Sequence, residues 1–412
     1  MINRQKVKFD PTDASTESTK VLLVAMPDSI HVARWLSANV NNNLDVMIFA
    51  SSPMRRVHPE IRDLLAQRHS AVDGPRLLLR KHKLSFFLAI PLWIADRRFI
   101  FAGRLRGLLL AATIAQFRPH VVHTMESQNG GYSSARGLRY VSAAKRPTTL
   151  LTLFGSDIFW FSRFDYHRKR LRELLSVTDF VQAECARDEA LARQLSFRGT
   201  FLPLLPVSGG LPSEKLADPQ NVSQLGSRKV IAVKGYAGKW GLAKSAIDAL
   251  RANAKDLEGF TIELYSCDAR VAKHAVETFR GTTVSIKTHP KFSMTHRDML
   301  ELFRRSKWAI ALSRSDGLPA SMLEAMSQGA FPVQTSSACV DGWIADGVTG
   351  MVVKDLDQTA LAYQFEKLIQ ANASSKNAAA KNIATIEAKY SDKTIWESAA
   401  RVYNTILKNR NL

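Results

Sequence analysis

Short β-branched runs alternate with helix-length amphipathic segments along this chain, and the alternation happens twice. In the first half VLLVAMP (from Val21), LDVMIFAS (from Leu44), HVVHTM (from His120), TTLLTLF (from Thr148), DFVQAE (from Asp179) and TFLPLLP (from Thr200) read as strands. Each is followed by a segment that can return as a helix, the signature of βαβ units and a parallel sheet. The pattern breaks at Ser208, where SGGLPSEKLADPQNVSQLGSRK has Gly, Pro, Ser and charge but no apolar period, and so reads as a linker. A second ladder follows: VIAVKGY (from Val230), FTIELYS (from Phe260), TTVSIKT (from Thr282), WAIALSR (from Trp308), FPVQT (from Phe331) and GMVVKD (from Gly350). Two doubly wound α/β domains are implied. The expected boundaries are a flexible tail over 1–19, a first domain over 20–210, a linker over 211–228, a second domain over 229–385 and a terminal helix over 386–412. In that helix Ile395, Ala399, Val402, Tyr403 and Ile406 recur at helical spacing, so it packs rather than hangs free.

The length of 412 residues suits two or three domains, and 46% hydrophobic with 23% charged residues supplies ample core. A net charge of +20 points to a polyanionic partner, nucleic acid or an anionic membrane face. No helix-turn-helix or zinc pattern appears and the aromatics are not arranged on a stacking sheet, so nucleic acid is not expected. The segment from Arg76 to Ala111 intersperses Phe86, Phe87, Trp93, Phe99 and Phe101 with cations, the composition of an interfacial helix. Its longest apolar stretch, Leu84 to Ala95, contains Ser85 and Pro91 and is shorter than the roughly 18 residues of a spanning helix. Cys185, Cys267 and Cys339 are odd in number and far apart, which reads as reduced core thiols in a cytosolic protein. The N-terminus lacks the apolar stretch of a signal peptide. The location expected is cytoplasmic, peripheral on the cytoplasmic face of a membrane.

The most informative stretch is SRSDGLPASMLEAMSQGAFPVQT, from Ser313 to Thr335. A strand ends at about Ser313, SDGLP makes a turn, and a helix runs from about Ala320 to near Gly329. A helix N-terminus after a parallel strand is an anion site, because free N–H groups and the helix dipole face the ligand. Asp316 and Glu324 complete the arrangement, since carboxylates are good acceptors for sugar hydroxyls while amides hold a diphosphate.

Taken with the two-domain ladder, SDGLPASMLEAMSQGAFPVQT resembles the donor-site signature of family-4-type retaining glycosyltransferases of the GT-B fold. In that signature two acids separated by seven residues frame a Leu-Glu-Ala-Met helix and a Gly-x-Pro strand. DSIHVARW (from Asp28), RPHVVHTMESQNGGY (from Arg118), TLFGSDI (from Thr152) and LPVSGG (from Leu205) fall in the order such enzymes show. The resemblance implies two Rossmann-like domains facing across a cleft, with the C-terminal helix crossing back to the first. It implies that Glu324 holds the donor ribose and that Asp316, with the Gly317 and Leu318 amides, grips the transferred sugar.

The diphosphate would be neutralised from VKGYAGKWGLAKS, where Lys234, Tyr236, Lys239 and Lys244 are the donor-side candidates. The family's Arg-x4-Lys is absent as such, and Lys239 and Lys244 have the right separation. His31 and His123 are the candidate catalytic histidines, and Asp28, Glu126 and Asp157 the acceptor-side polar groups. Met125 replaces a histidine common in the family, and Gly342 a third acid, for which Asp341 is the substitute.

The activity implied is transfer of a sugar from a nucleotide-sugar, a UDP-sugar first, to a glycan or lipid-linked acceptor of cell-surface polysaccharide or glycolipid synthesis. Retention follows from the resemblance alone. No metal or other cofactor is expected, since no Asp-x-Asp ligand set is present and lysines can take the charge. A nucleotide-sugar epimerase or hydrolase of the same fold is the alternative, and a basic nucleic-acid-binding protein a more remote one.

Overall fold

The computed structural model describes residues 18–53, 56–66, 77–98, 103–219, 227–370 and 377–410. Nearly all of the tail expected over 1–19, the middle of the linker, and Phe99 and Phe101 lie outside these residues.

Seven strands form the first sheet: β1 (Thr19–Ala25), β2 (Leu44–Ala50), β3 (Leu77–Lys81), β4 (Val121–Met125), β5 (Thr148–Thr152), β6 (Phe180–Gln182) and β7 (Thr200–Phe201), in the order β3-β2-β1-β4-β5-β6-β7. Six form the second: β8 (Val230–Lys234), β9 (Thr261–Cys267), β10 (Ser285–Pro290), β11 (Ser306–Ala311), β12 (Phe331–Thr335) and β13 (Met351–Val353), in the order β10-β9-β8-β11-β12-β13. Neighbouring strands pair in parallel in both sheets. A central parallel strand covered by helices on both faces has no polar side, and β1 obeys that rule: Val21 through Ala25 are fully buried.

Sequence reading missed β3, taking RLLLRKHK as part of a surface helix. It is a short edge strand whose Leu79 alone is buried, and its Arg80 pairs with Asp45 of the neighbouring β2. One edge strand with one buried residue leaves almost no period to read.

The two sheets are joined by more than the linker. Leu211 N–H donates to the Tyr390 carbonyl at 2.8 Å and Asp392 N–H to the Leu211 carbonyl at 3.0 Å, which ties the start of the last helix, Asp392–Arg410, to the domain junction. That helix then crosses back to the first domain. Val402, Tyr403 and Ile406 join one buried cluster with Val32 and Leu36 of the helix Ile30–Ala38. Trp35 Nε1 donates to Tyr403 Oη at 3.0 Å. The same cluster continues into Met322, Leu323 and Met326 of the helix Ala320–Ser327 in the second domain.

The expectation of three reduced thiols is corrected here. Cys185 and Cys339 are joined in a disulfide between the two domains, and Cys267 alone is free and buried. Sequence spacing could not bring them together, because the two residues meet only when the domains close.

Candidate active site

The ends of β8, β9 and β11 open on a cavity of about 290 Å³ walled by Lys234, Tyr236, Trp240, Lys291 and Asp316, with Ser156 of the first domain opposite. β8 and β11 are neighbours at the centre of the sheet, and from them the chain winds to opposite edges, so the cavity sits at the topological switch point where such sheets bind ligands.

Three features position its groups. Lys234 is the last residue of β8, and Gly235 follows because a Cβ there would stand 2.7 Å from Cys267 Cα. Lys291 comes directly after β10, with its ammonium 2.6 Å from Asp268 Oδ1 and 5.2 Å from the centre of the Tyr236 ring. Asp316 lies in the turn before the helix Ala320–Ser327, and its Oδ1 accepts from the Gly317 N–H at 2.9 Å. Burial pushes the Asp316 carboxyl upward, while Lys234, the Gly317 amide and Arg187 pull it down.

Of the expected donor residues, Lys234, Tyr236 and Asp316 share the cavity. Lys239 instead lies over the rings of Trp240 and Phe161, at 4.6 and 5.2 Å from their centres, and Lys244 is exposed on the helix Ala243–Ala252. Glu324 is half-buried, and its Oε1 meets His296 Nε2 at 3.2 Å. The Leu318 N–H donates at 3.2 Å to Glu184 Oε2 of the first domain. Thus neither turn amide is open to a sugar in this arrangement. Sequence reasoning overlooked Lys291, although the strand-end position that singled out Lys234 applies to it as well.

On the first-domain side the expectations change more. His123 was expected to be catalytic, but it is fully buried, with Nδ1 2.8 Å from Tyr403 Oη and Nε2 2.8 Å from Thr152 Oγ1. Burial lowers it to about 3, so it is a neutral core imidazole. Glu126 and Asp157 were expected to face an acceptor, yet both carboxylates turn into the loop after β4. Glu126 Oε2 accepts from Asn129 N–H at 2.9 Å and its Oε1 accepts from Gly130 N–H, while Asp157 Oδ2 accepts from Ser127 N–H at 2.9 Å and Phe154 N–H at 3.1 Å. Burial raises both, and the Glu126 charge further opposes ionisation of Asp157.

The two other first-domain candidates lie at the turn after β1. His31 opens the helix Ile30–Ala38 under the Ser29 cap, with its ring 5.4 Å from that of Phe154. Its Nδ1 is buried and has no hydrogen-bond partner among the described residues, and burial with the nearby Arg34 charge lowers the imidazole to about 4. Asp28 is half-buried in the turn just before.

Sequence segment 184–188 of the first domain grips the donor-side loops. Glu184 also accepts from Val207 N–H at 3.2 Å, and burial pushes its carboxyl up to about 8. Arg187 donates from Nη1 to the Ser337 carbonyl at 2.6 Å and from Nη2 to the Asp316 carbonyl at 3.2 Å, with its guanidinium 4.1 Å from the centre of Phe159.

Residues 282–385 match the family described as Glycosyl transferases group 1. No sequence among the curated proteins matches the chain. Its fold is similar to that of HepE from Anabaena in complex with UDP-glucose, at 14% identity and a TM-score of 0.61, over 94% of this chain and 99% of that one. It is also similar to sucrose-phosphate synthase from Thermosynechococcus elongatus (13% identity, TM-score 0.62, 95% and 100% covered). A third likeness is to the lipopolysaccharide outer core galactosyltransferase WaaB (11% identity, TM-score 0.63, 95% and 100% covered). The chain thus has the GT-B fold of these structures, with a segment of its second domain matching the group 1 glycosyl transferases.

Proposed function

We infer that this protein is a glycosyltransferase that takes its sugar from a nucleoside-diphosphate donor, a UDP-sugar first, seated in the cavity beside Asp316. The observation that carries the reading is the meeting of Lys234 and Lys291 in one switch-point cavity with Asp316 and the Tyr236 and Trp240 rings. A departing diphosphate gathers negative charge, and two lysines fixed at that point stabilise it without waiting for solvent to reorganise. In this reading the lysines, rather than a metal ion, take the diphosphate charge. Asp316 accepts hydroxyls of the transferred sugar, Glu324 those of the ribose once His296 releases it, and His31 faces the reacting sugar from the first domain. Transfer with retention is part of the proposal. UDP-glucose in HepE supports the choice of nucleotide.

The acceptor proposed is a glycan or lipid-linked sugar at the cytoplasmic face of a membrane. Supporting this, the helices Lys83–Phe87 and Ala89–Arg98 leave Leu84, Phe87, Ile90 and Ile94 exposed, Phe87 by 70%, at roughly helical spacing. Among the described residues no helix is long and apolar enough to cross a membrane. An apolar strip on a protein of net charge +20 suits an anionic leaflet.

Calorimetry with UDP, GDP, ADP and CMP tests the donor side, and incubation of UDP-sugars with and without glycolipid acceptors tests the reaction. Tightest binding of UDP, with transfer insensitive to chelators, is expected. Release of free sugar alone, whatever the acceptor, would favour a hydrolase instead.

A further inference from the structure

We propose that the Cys185–Cys339 bond is a redox latch, holding the first domain on the donor loop and excluding the donor until a thiol reduces it. The proposal rests on the donor reading above. Cys185 stands between β6 and the helix Ala186–Gln194 in the first domain, and Cys339 follows β12 in the second. Both flanks of the bond lead straight to the turn at 316–318. On one side, neighbouring Glu184 accepts the Leu318 N–H, and Arg187 holds the Asp316 and Ser337 carbonyls. On the other, the Cys339 N–H donates to the Gly317 carbonyl at 2.9 Å.

Between them the two backbones touch. A Cβ on Gly155 would lie 1.8 Å from Gly317 N, so no sugar fits between these glycines while the domains are closed. Hydrogen bonds across a domain interface open and close, and domain motion is the ordinary expectation for such an arrangement. A covalent bond joining residues 154 apart in sequence removes that freedom.

Reduction proceeds by thiol–disulfide exchange with a small dithiol. Its thiolate attacks one sulfur and the other leaves as a thiolate. The second thiol of the reductant then displaces the first cysteine and closes a cyclic disulfide. Two electrons pass to the protein, and each released thiolate takes up a proton. Asp188 Oδ2 lies 3.9 Å from Cys339 Sγ, placed to accept the new S–H. The balance of open and closed forms sets the apparent donor affinity, because only the open fraction binds.

The test compares oxidised protein, its disulfide verified by the loss of two hydrogens in intact mass, with the same protein after dithiothreitol. UDP-glucose affinity is measured by calorimetry and backbone exchange at 316–318 by mass spectrometry. Reduction is expected to tighten UDP-glucose binding by roughly tenfold or more and to speed amide exchange at Gly317 and Leu318. Cys185→Ser and Cys339→Ser should each match the reduced protein and ignore dithiothreitol. Equal affinity and equal exchange in both redox forms, or oxidised protein that never forms the bond, would overturn the latch. Faster exchange on reduction with no nucleotide bound in either form would uphold the latch on domain closure and reject the donor reading.

Discussion

A histidine on a parallel strand can do chemistry in the cleft only if a ring nitrogen faces it, and both nitrogens of His123 are engaged within the core. This has a consequence for stability. The imidazole titrates near 6.5 when unfolded but only at about 3 when folded, so between those values the unfolded chain binds a proton that the folded one refuses. Stability is therefore lost as pH falls below 6.5, by up to about 1.4 kcal/mol per pH unit. Between pH 7 and 5, urea denaturation should show wild-type protein losing about 2 kcal/mol more stability than His123→Gln does. Equal slopes for the two proteins would contradict this.

The lysines give a second residue-scale prediction. Lys234→Ala and Lys291→Ala should each weaken UDP binding about ten- to a hundredfold, the equivalent of a charged hydrogen bond of about 1.5–3 kcal/mol. Lys244→Ala should leave it unchanged, and calorimetry separates the cases. Which lysines converge was not legible in the sequence, because separation along the chain says nothing about β10 and β8 lying on either side of β9 in the sheet. The placing of Asp316 in a turn and Glu324 in the helix after it was legible, since one turn and one helix fix their relation locally. What the sequence could not reveal was that Glu184 and His296, each distant in the chain, bond to that same turn and helix.

At the scale of single elements, the last helix was readable from its apolar period, and its partner follows from packing. Tyr403 Oη serves both Trp35 Nε1 and His123 Nδ1 inside the first domain. Tyr403→Phe leaves these buried atoms without that partner, which should cost about 1–3 kcal/mol in urea denaturation while UDP binding persists. A cost near zero would mean that the helix is not held this way. The segment after β3 was legible only in outline: composition marked it as interfacial, but the direction of its rings depends on the fold. Phe87 is exposed, whereas Phe86 packs toward the core beneath Lys81. Phe87→Ser should therefore lower the salt-resistant part of binding to anionic liposomes in flotation. Phe86→Ser should chiefly lower the melting temperature. Equal flotation of Phe87→Ser and wild type would remove the strip as a membrane contact.

Across the whole molecule, the two-ladder pattern announced two parallel sheets, because alternation of strand and helix is written locally and repeated. The way the sheets meet is not local. Gly155 against Gly317, Arg187 on the loop carbonyls and the Cys185–Cys339 bond all join residues from different domains, so neither half of the sequence contains the information alone. The cavity at the strand ends of the second sheet, walled by Lys234, Lys291 and Asp316, is the place to seek the nucleotide once the domains part. A structure of the reduced protein bound to UDP tests this most directly. The diphosphate should lie within hydrogen-bond reach of Lys234 and Lys291, beside Asp316. UDP seated away from that cavity, or no bound nucleotide at saturating concentration, would contradict the account.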